Sequence, residues 1–440
     1  MATHQSASMM AWVYRIVLWL ALPLVWVRLQ LRGRREPAYA QRQAERFGDV
    51  PGSVRADCIW FHTVSAGETI AAAPLIRMLA EEFSDTPFLV TTMTPTGSEQ
   101  VLARLADCVD HCYAPYDFAF AVKRFFEHVR PRALILMETE LWPNLIAQAH
   151  ARGIPVLLVN ARLSARSARG YARVAGLSRP MLERLSGIAC QSDAHAQRFV
   201  ELGADPATTQ ALGSVKYDVE LPDLFAENVE EMRGAFAIGD RPVWIAASTH
   251  PGEDELVLQA FARVRATVPE VCLLLVPRHP VRAEHVCDLV RGQGFSVCTQ
   301  SECAGVASQQ ATDVVVGDVM GTLLTLYGLA DVAFVGGSLV ELGGHNPLEP
   351  ALCRIPVLSG PHQFNFADVM QELEVHDGLV TVHTVDELAQ RVCGFMQDPS
   401  ACRLAGAAAA AVLDENRGAT ARVAQLLRAR IGASAAASLQ

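Results

Sequence analysis

The chain is 440 residues long, with 51% hydrophobic and 19% charged residues and a formal net charge of −10. The length fits two domains of ordinary size, and the apolar share is enough for a large core in each, which excludes a mostly disordered chain. The negative charge argues against general nucleic-acid binding, although residues 1–50 are basic. The 11 cysteines are odd in number and scattered, which fits a reducing compartment rather than a disulfide framework. Cys58, Cys190 and Cys272 lie in or beside apolar runs, where a thiol behaves as a small hydrophobe. Cys108-Val-Asp-His-Cys112 has the form of a metal half-site, but no second pair follows at a usual spacing, so no metal is expected.

The first element spans Met9 to Leu31. Residues 16–27 are almost wholly apolar, bracketed by Arg15 and Arg28, with Arg32, Arg34 and Arg35 beyond. A full membrane span takes roughly 20 apolar residues, which this run reaches only if Arg15 turns its charge back toward the head groups. No small-residue cleavage site follows, so a cleaved signal peptide is not expected. Cations on the C-terminal side put the body of the protein in the cytoplasm. Two forms of attachment stay open, a single-pass anchor and a helix lying in the inner leaflet. The bland alternative is a buried core helix. The basic cluster suits anionic lipid head groups or an anionic lipid substrate.

From Cys58 onward short apolar runs alternate with amphipathic stretches. Strands are expected at Cys58–His62, Phe88–Thr92, Ala133–Met137, Val156–Asn160 and Gly187–Cys190, with helices over 68–83 and 194–202. The acidic, helical stretch 225–237 lacks a buried-strand pattern and reads as a linker. The alternation restarts with strands at Val243–Ala247, Val271–Val276, Val314–Val316, Val332–Val335, Ile355–Leu358 and Leu379–Val382. Strands apolar on both faces and separated by helices imply parallel sheets covered on both sides. The expected organisation is a membrane segment 1–35, a Rossmann-like domain 36–220, a linker 221–241, a second Rossmann-like domain 242–400, and an alanine-rich helical tail 401–440 with a frayed small-residue end. Two such domains on one linker would leave a cleft at the carboxyl ends of their sheets.

Chemistry is therefore sought in loops at strand ends. Ser65-Ala-Gly-Glu68 puts a carboxylate in a helix's first turn, where it is either a general base or a simple complement to the helix dipole. Met137-Glu-Thr-Glu-Leu-Trp-Pro-Asn144 offers Glu138 and Glu140 at a strand end. Capping is the plain alternative. Asn160-Ala-Arg-Leu-Ser-Ala-Arg166 supplies cations for an anionic ligand. Lys216 is either a point charge facing the ligand or a surface lysine. In the second half, Arg278 of Pro277-Arg278-His-Pro280 is the best candidate for a nucleotide phosphate. His250, His279 and His345 read as hydrogen-bonding residues, and Gly317-Asp-Val-Met-Gly321 as a source of backbone donors. The stretch Val335 to Glu349 carries Gly336-Gly337 and Gly343-Gly344, then Asn346 at a helix cap and Pro347 at its first position. Glycine pairs beside a helix start make an anion site, and Glu349 one turn in would suit a ribose diol. An ordinary strand–turn–helix connection would need Gly and Pro, but not two Gly pairs followed by Asn-Pro-x-Glu. No GxxxxGK[ST] and no Gly-x-Ser-x-Gly are present, which excludes a P-loop NTPase and argues against an α/β-hydrolase.

Taken together, His62-Thr-Val-Ser-Ala-Gly-Glu68, Thr91-Thr-Met-Thr-Pro-Thr-Gly97, Met137 to Asn144, Asn160-Ala-Arg-Leu-Ser164, Val276-Pro-Arg-His-Pro280 and Gly336 to Glu349 closely resemble the bacterial 3-deoxy-D-manno-octulosonic acid (Kdo) transferases. The resemblance runs from the N-terminal apolar segment to about residue 400. It implies a GT-B glycosyltransferase on the inner face of the cytoplasmic membrane, transferring Kdo from CMP-Kdo to the lipid A precursor lipid IVA with inversion; no cofactor is expected, and the lack of a clustered carboxylate or histidine site leads us to expect no metal. By the same resemblance Glu68 matches the catalytic base, and Glu138 and Lys216 match transition-state-stabilising positions. Pro277 and Arg278, then Met320, Gly321 and Thr322, then Asn346, Pro347, Leu348 and Glu349 match CMP-binding segments. One departure stands out: Thr322 occupies a place where the family often has Glu. The competing expectations are a UDP-sugar transferase or epimerase of the same architecture, and a non-enzymatic membrane-tethered lipopolysaccharide-binding protein. No motif specifies an oligomeric state.

Overall fold

The computed structural model describes residues 2–305 and 311–437. The chain divides into two units, Met1–Asp218 with Arg417–Gln440, and Val219–Asn416.

The first unit is built on strands β1 (Ile59–His62), β2 (Phe88–Thr92), β3 (Asp110–Tyr113), β4 (Ala133–Met137), β5 (Val156–Ala161), β6 (Gly187–Cys190) and β7 (Thr209–Ala211). They form one seven-stranded sheet in the order β3-β2-β1-β4-β5-β6-β7, parallel throughout. Successive strand residues point to opposite faces, so both faces must be apolar. Trp60, Leu89, Leu134 and Leu158 pack with Phe125 and Phe126 on one side. Phe61, Phe88, Ile135 and Val159 pack with Ile76 and Leu79 on the other.

The second unit repeats the plan with β8 (Val243–Thr249), β9 (Cys272–Pro277), β10 (Val297–Thr299), β11 (Val314–Val316), β12 (Val332–Val335), β13 (Val357–Ser359) and β14 (Leu379–Thr381). Their order is β10-β11-β9-β8-β12-β13-β14, again parallel. In each sheet the winding reverses between two central neighbours, β1 and β4 in the first and β8 and β12 in the second. Ligands of open α/β sheets bind beyond the carboxyl ends of strands at such a reversal.

Three strands, β3, β7 and β10, have no counterpart in the sequence reading. All three are sheet edges. Apart from the buried Cys112 and Tyr113, their residues are partly buried or, at Gln210, exposed, so the doubly apolar signature of an inner strand is missing.

The stretch expected to be a linker packs instead into the second unit. Helix Phe225–Ala235 lies against helix Leu323–Leu329, so closely that a Cβ on Gly328 would meet Val229 Cγ2 at 2.5 Å. Phe236 and Ile238 join that unit's core. The alanine-rich tail divides. Helix Pro399–Asn416 buries Ala409, Ala410, Val412 and Leu413 in the second unit. Helix Ala419–Ala437 returns to the first, where Val423, Ala424 and Leu427 join the core under β1 and β2. Residues 438–440, part of the end expected to fray, lie outside the described residues.

The N-terminal helix Ala2–Arg35 contains the 26-residue run Met9–Arg34, within which an 18-residue stretch reaches a mean hydropathy of 1.8, long and apolar enough to cross a membrane. Trp12, Val13, Val17, Leu20 and Leu24 are exposed. Another side of the helix meets the first unit. Tyr14 Oη donates to Asp117 at 2.8 Å, Arg15 Nε donates to Asn144 Oδ1 at 3.0 Å, and Trp19 meets Phe120 at 5.6 Å between ring centroids. Leu29 is buried.

The returning tail helix is tied at its start by Asp218, whose oxygens accept from Gly418 N at 2.6 Å and Thr420 N at 2.5 Å. Asp218→Ala removes this cap, worth ~1 kcal/mol. Amide hydrogen exchange across residues 419–431 should then quicken about fivefold, while exchange in the second unit stays at the wild-type rate.

Candidate active site

In the first unit, polar groups collect on the loops after β1 and β4. Ser65 caps helix Ala66–Glu82 by accepting from Glu68 N, and its hydroxyl donates back to Glu68 Oε1 at 3.0 Å. Val64 N donates to Glu68 Oε2 at 3.0 Å. The sequence Ser-Ala-Gly-Glu thus forms a variant of the capping box, in which Glu68 reaches back to Val64 N and the Ser65 hydroxyl and complements the helix start. The side chain is only 7% exposed. Burial, reinforced by the neighbouring charges of Glu140 and Glu138, pushes its carboxyl up to about 8, against the opposing effect of its two hydrogen-bond donors.

Glu138 follows β4 with a left-handed backbone, φ +52, which is costly for a non-glycine residue. Its buried carboxylate meets two cations, Lys216 Nζ at 2.7 Å and Arg162 Nε at 2.8 Å. Lys216 sits in the turn Val215–Tyr217, which Asn160 Oδ1 anchors by accepting from Val215 N at 3.2 Å. The structure therefore brings Glu68, Glu138 and Lys216 into one neighbourhood and adds Arg162, which the sequence reading offered only as one of several cations. Glu140 accepts from Trp142 Nε1 at 2.8 Å, and burial raises its carboxyl.

Below them lies His62, fully buried and held neutral by burial, which lowers it to about 3. Thr91 Oγ1 accepts from Trp60 Nε1 at 2.8 Å and lies 3.1 Å from His62 Nδ1, a hydrogen bond in which either group can be the donor. Among the described residues His62 Nε2 has no hydrogen-bond partner, and the ring stands edge-on to Trp142 at 4.6 Å.

The second unit uses the equivalent loops after β8 and β12, with Pro277 and Arg278 at the end of β9 beside them. Here the structure corrects one expectation. The backbone donors of the first glycine pair do not face a ligand. Gly336 N donates to Ala247 O at 2.8 Å. The carboxylate of Glu253, itself fully buried, accepts from Gly337 N at 2.7 Å, Ser338 N at 3.1 Å, Leu339 N at 2.9 Å and His250 N at 3.3 Å. The nest is filled by the chain's own anion, which staples the β8 loop to the β12 loop. The sequence carried a signal for this residue: Gly252-Glu253 follows the first strand of its sheet just as Gly67-Glu68 follows β1. The second pair serves packing, since a Cβ on Gly343 would strike Phe364 at 2.4 Å.

Asn346 caps the short helix Leu348–Leu352 by accepting from Leu348 N at 3.1 Å, and its amide reaches Glu349 Oε1 at 3.4 Å. Pro347 stands one position before the helix rather than opening it. Arg278 is exposed. Met320 is 70% exposed, and Gly321 has φ +84. Thr322 Oγ1 accepts from Gln300 Nε2 at 3.0 Å and lies 3.1 Å from Val319 O, so the residue in place of the family's Glu is engaged in its own turn. Among the described residues no group of three His, Cys, Asp or Glu is arranged to hold a metal ion.

Two doubly wound parallel sheets, each carrying its polar groups where the strand order reverses, define the GT-B architecture of glycosyltransferases. A solved putative UDP-N-acetylglucosamine 2-epimerase from Listeria monocytogenes has this fold, with a TM-score of 0.55 over 87% of this chain and 98% of that one at 13% identity. Residues 41–219 match the family model for the 3-deoxy-D-manno-octulosonic-acid transferases (kdotransferase). The 3-deoxy-D-manno-octulosonic acid transferase of Haemophilus influenzae is 40% identical over 94% of this chain and 97% of its own length. That of Bordetella pertussis is 35% identical over 82% and 85%. The chain belongs to the 3-deoxy-D-manno-octulosonic acid transferase family and is a glycosyltransferase.

Stranding buried donors costs roughly 1–3 kcal/mol each. Glu253→Ala strands several at once and should destabilise the second unit by at least ~3 kcal/mol. Urea unfolding followed through Trp244, which is buried in that unit, measures the loss.

Proposed function

We propose that the protein transfers Kdo from CMP-Kdo to a sugar hydroxyl of lipid IVA at the inner face of the cytoplasmic membrane, in lipopolysaccharide core synthesis. The family membership supports the sugar and the reaction class. The exposed apolar face of the N-terminal helix supports the membrane setting and a lipid acceptor. The observation that carries the mechanism is Glu68: a carboxyl beyond β1, buried but held by only two donors, whose affinity for a proton is raised to about 8.

In this reading Glu68 takes the proton of the acceptor hydroxyl as its oxygen attacks the anomeric carbon of Kdo. A single displacement with inversion needs one base and a stabilised leaving group. Glu138 carries Lys216 and Arg162, and these cations steady the anionic charge of the sugar and the departing phosphate. Pro277, Arg278, Met320 to Thr322 and Asn346 to Glu349 hold the cytidylate of the donor. The cations take the part that a metal plays elsewhere, so activity in excess EDTA should be undiminished. A loss that magnesium restores contradicts that part of the mechanism.

Glu68→Ala should lower turnover by about 10²-fold or more, the usual scale for a lost general base. A near-wild-type rate would move the base to Glu140. A protonated carboxyl cannot accept a proton, so kcat/KM should rise with pH and level off above about 8. A flat profile from pH 6 to 9 under conditions where chemistry limits the rate would remove Glu68 from this role.

A further inference from the structure

Two histidines to which the mechanism above gives no role face each other at the strand reversal of the second sheet. His250 follows β8, and His345 lies in the loop after β12. Their Nε2 atoms are 2.9 Å apart, and the rings are nearly parallel, 8° between planes with centroids 5.2 Å apart. His279 stands edge-on to His250 at 6.2 Å. The glycine loop is shaped around this pair. Gly337 has φ +70, and a Cβ there would lie 2.9 Å from His345 Cδ2 and 3.5 Å from His250 Cδ2.

At 2.9 Å one Nε2 must donate and the other accept, so the empty pair shares a single proton across the contact. The surrounding charges leave room for another. Glu253, beneath His250, is matched by four backbone N–H groups. Asp254 is paired with Arg282, whose guanidinium also donates to Thr249 O. Arg278 and His279 are exposed on the β9 loop. Burial, then His279, Arg278 and Arg282, lower His250, with Asp254 opposing. Burial, then His250, Arg278 and His279, lower His345 to about 4. With no anion present the pair is neutral at pH 7, and an arriving anion reverses the balance that keeps it so.

We propose that His250 and His345 form the anion-receiving pair of the donor site, sharing one proton when empty and taking up one more from solvent when an anionic oxygen of the donor binds against them. The inference rests on the reading that this unit binds CMP-Kdo. The anionic oxygen belongs either to the nucleotide phosphate or to the sugar carboxylate. A proton held there when the donor's phosphate becomes a leaving group offsets the charge that develops.

The test is calorimetric titration of the full-length protein in detergent at pH 7, in two buffers of different ionisation enthalpy. The ligands are CMP, cytidine and free Kdo. The expected result is uptake of about one proton per CMP bound and none with cytidine. In His250→Gln and His345→Gln, uptake should fall below a third of that value and the Kd for CMP should rise about tenfold, the scale of one charge-assisted hydrogen bond. Uptake with free Kdo but not with CMP supports the pair and assigns it to the sugar carboxylate. CMP binding whose enthalpy is the same in both buffers, with Kdo equally silent, overturns the pair's role and leaves the donor site intact. Uptake that persists in both variants puts the proton on the ligand phosphate and also overturns it. Failure of CMP to bind at all overturns the donor-site reading and the inference with it.

Discussion

A carboxylate removed from water must be compensated, and the way three of them are compensated divides the labour of this protein. Parallel sheets with two apolar faces leave polar chemistry only at the strand ends, and Glu68, Glu138 and Glu253 are all buried there. Glu253 receives four backbone N–H donors and becomes a structural staple. Glu138 receives two cations and becomes their mount. Glu68 receives one N–H and one hydroxyl, too little to hold its negative charge firmly, and so keeps an appetite for a proton. One residue type in three surroundings gives a fastener, an electrostatic anchor and the carboxyl proposed as the base.

The correspondence between the halves makes the point sharper. Gly67-Glu68 and Gly252-Glu253 both open the helix after the first strand of their sheets. In the second unit the β12 loop closes over the carboxylate. In the first, the loop after β4 instead brings more carboxylates, Glu138 and Glu140, whose charges push the proton affinity of Glu68 further up. What differs between the buried fastener and the proposed base is the loop from the neighbouring strand, not the motif that carries the glutamate.

This is also where the sequence was and was not legible. Inner strands such as Val332–Val335 and Ala133–Met137 could be read because both faces are apolar. The edges β3, β7 and β10 could not, because an edge strand of Asp-His-Cys-Tyr or Thr-Gln-Ala carries no such signature. Glycine pairs signal backbone donors turned outward or inward alike, and Gly336-Gly337 turns them inward to Glu253. The alanine-rich end reads as one helical tail because composition does not say which sheet each half covers. Asp218 marks the crossing, but its partners Gly418 and Thr420 lie two hundred positions away. The candidate catalytic residues were legible as motifs. The pairing of Arg162 with Glu138 and the facing of His250 with His345 are tertiary facts that no local spacing encodes.

In the proposed function the N-terminal helix brings this chemistry to a lipid acceptor. Its apolar side is exposed, while Tyr14 and Arg15 reach Asp117 and Asn144, and Asp117 in turn accepts from the backbone of Asn144 and Leu145 at the start of the helix that follows Trp142. The apolar N-terminal helix is thus tied to the segment that follows the loop carrying Glu138 and Glu140. The most direct measurement of the whole account is mass spectrometry of lipid IVA after incubation with CMP-Kdo and the purified full-length protein. Growth of the lipid by whole Kdo units, with CMP released in equal number, is the result the account predicts. Unaltered lipid IVA from a folded, detergent-solubilised protein that still binds it would contradict the account.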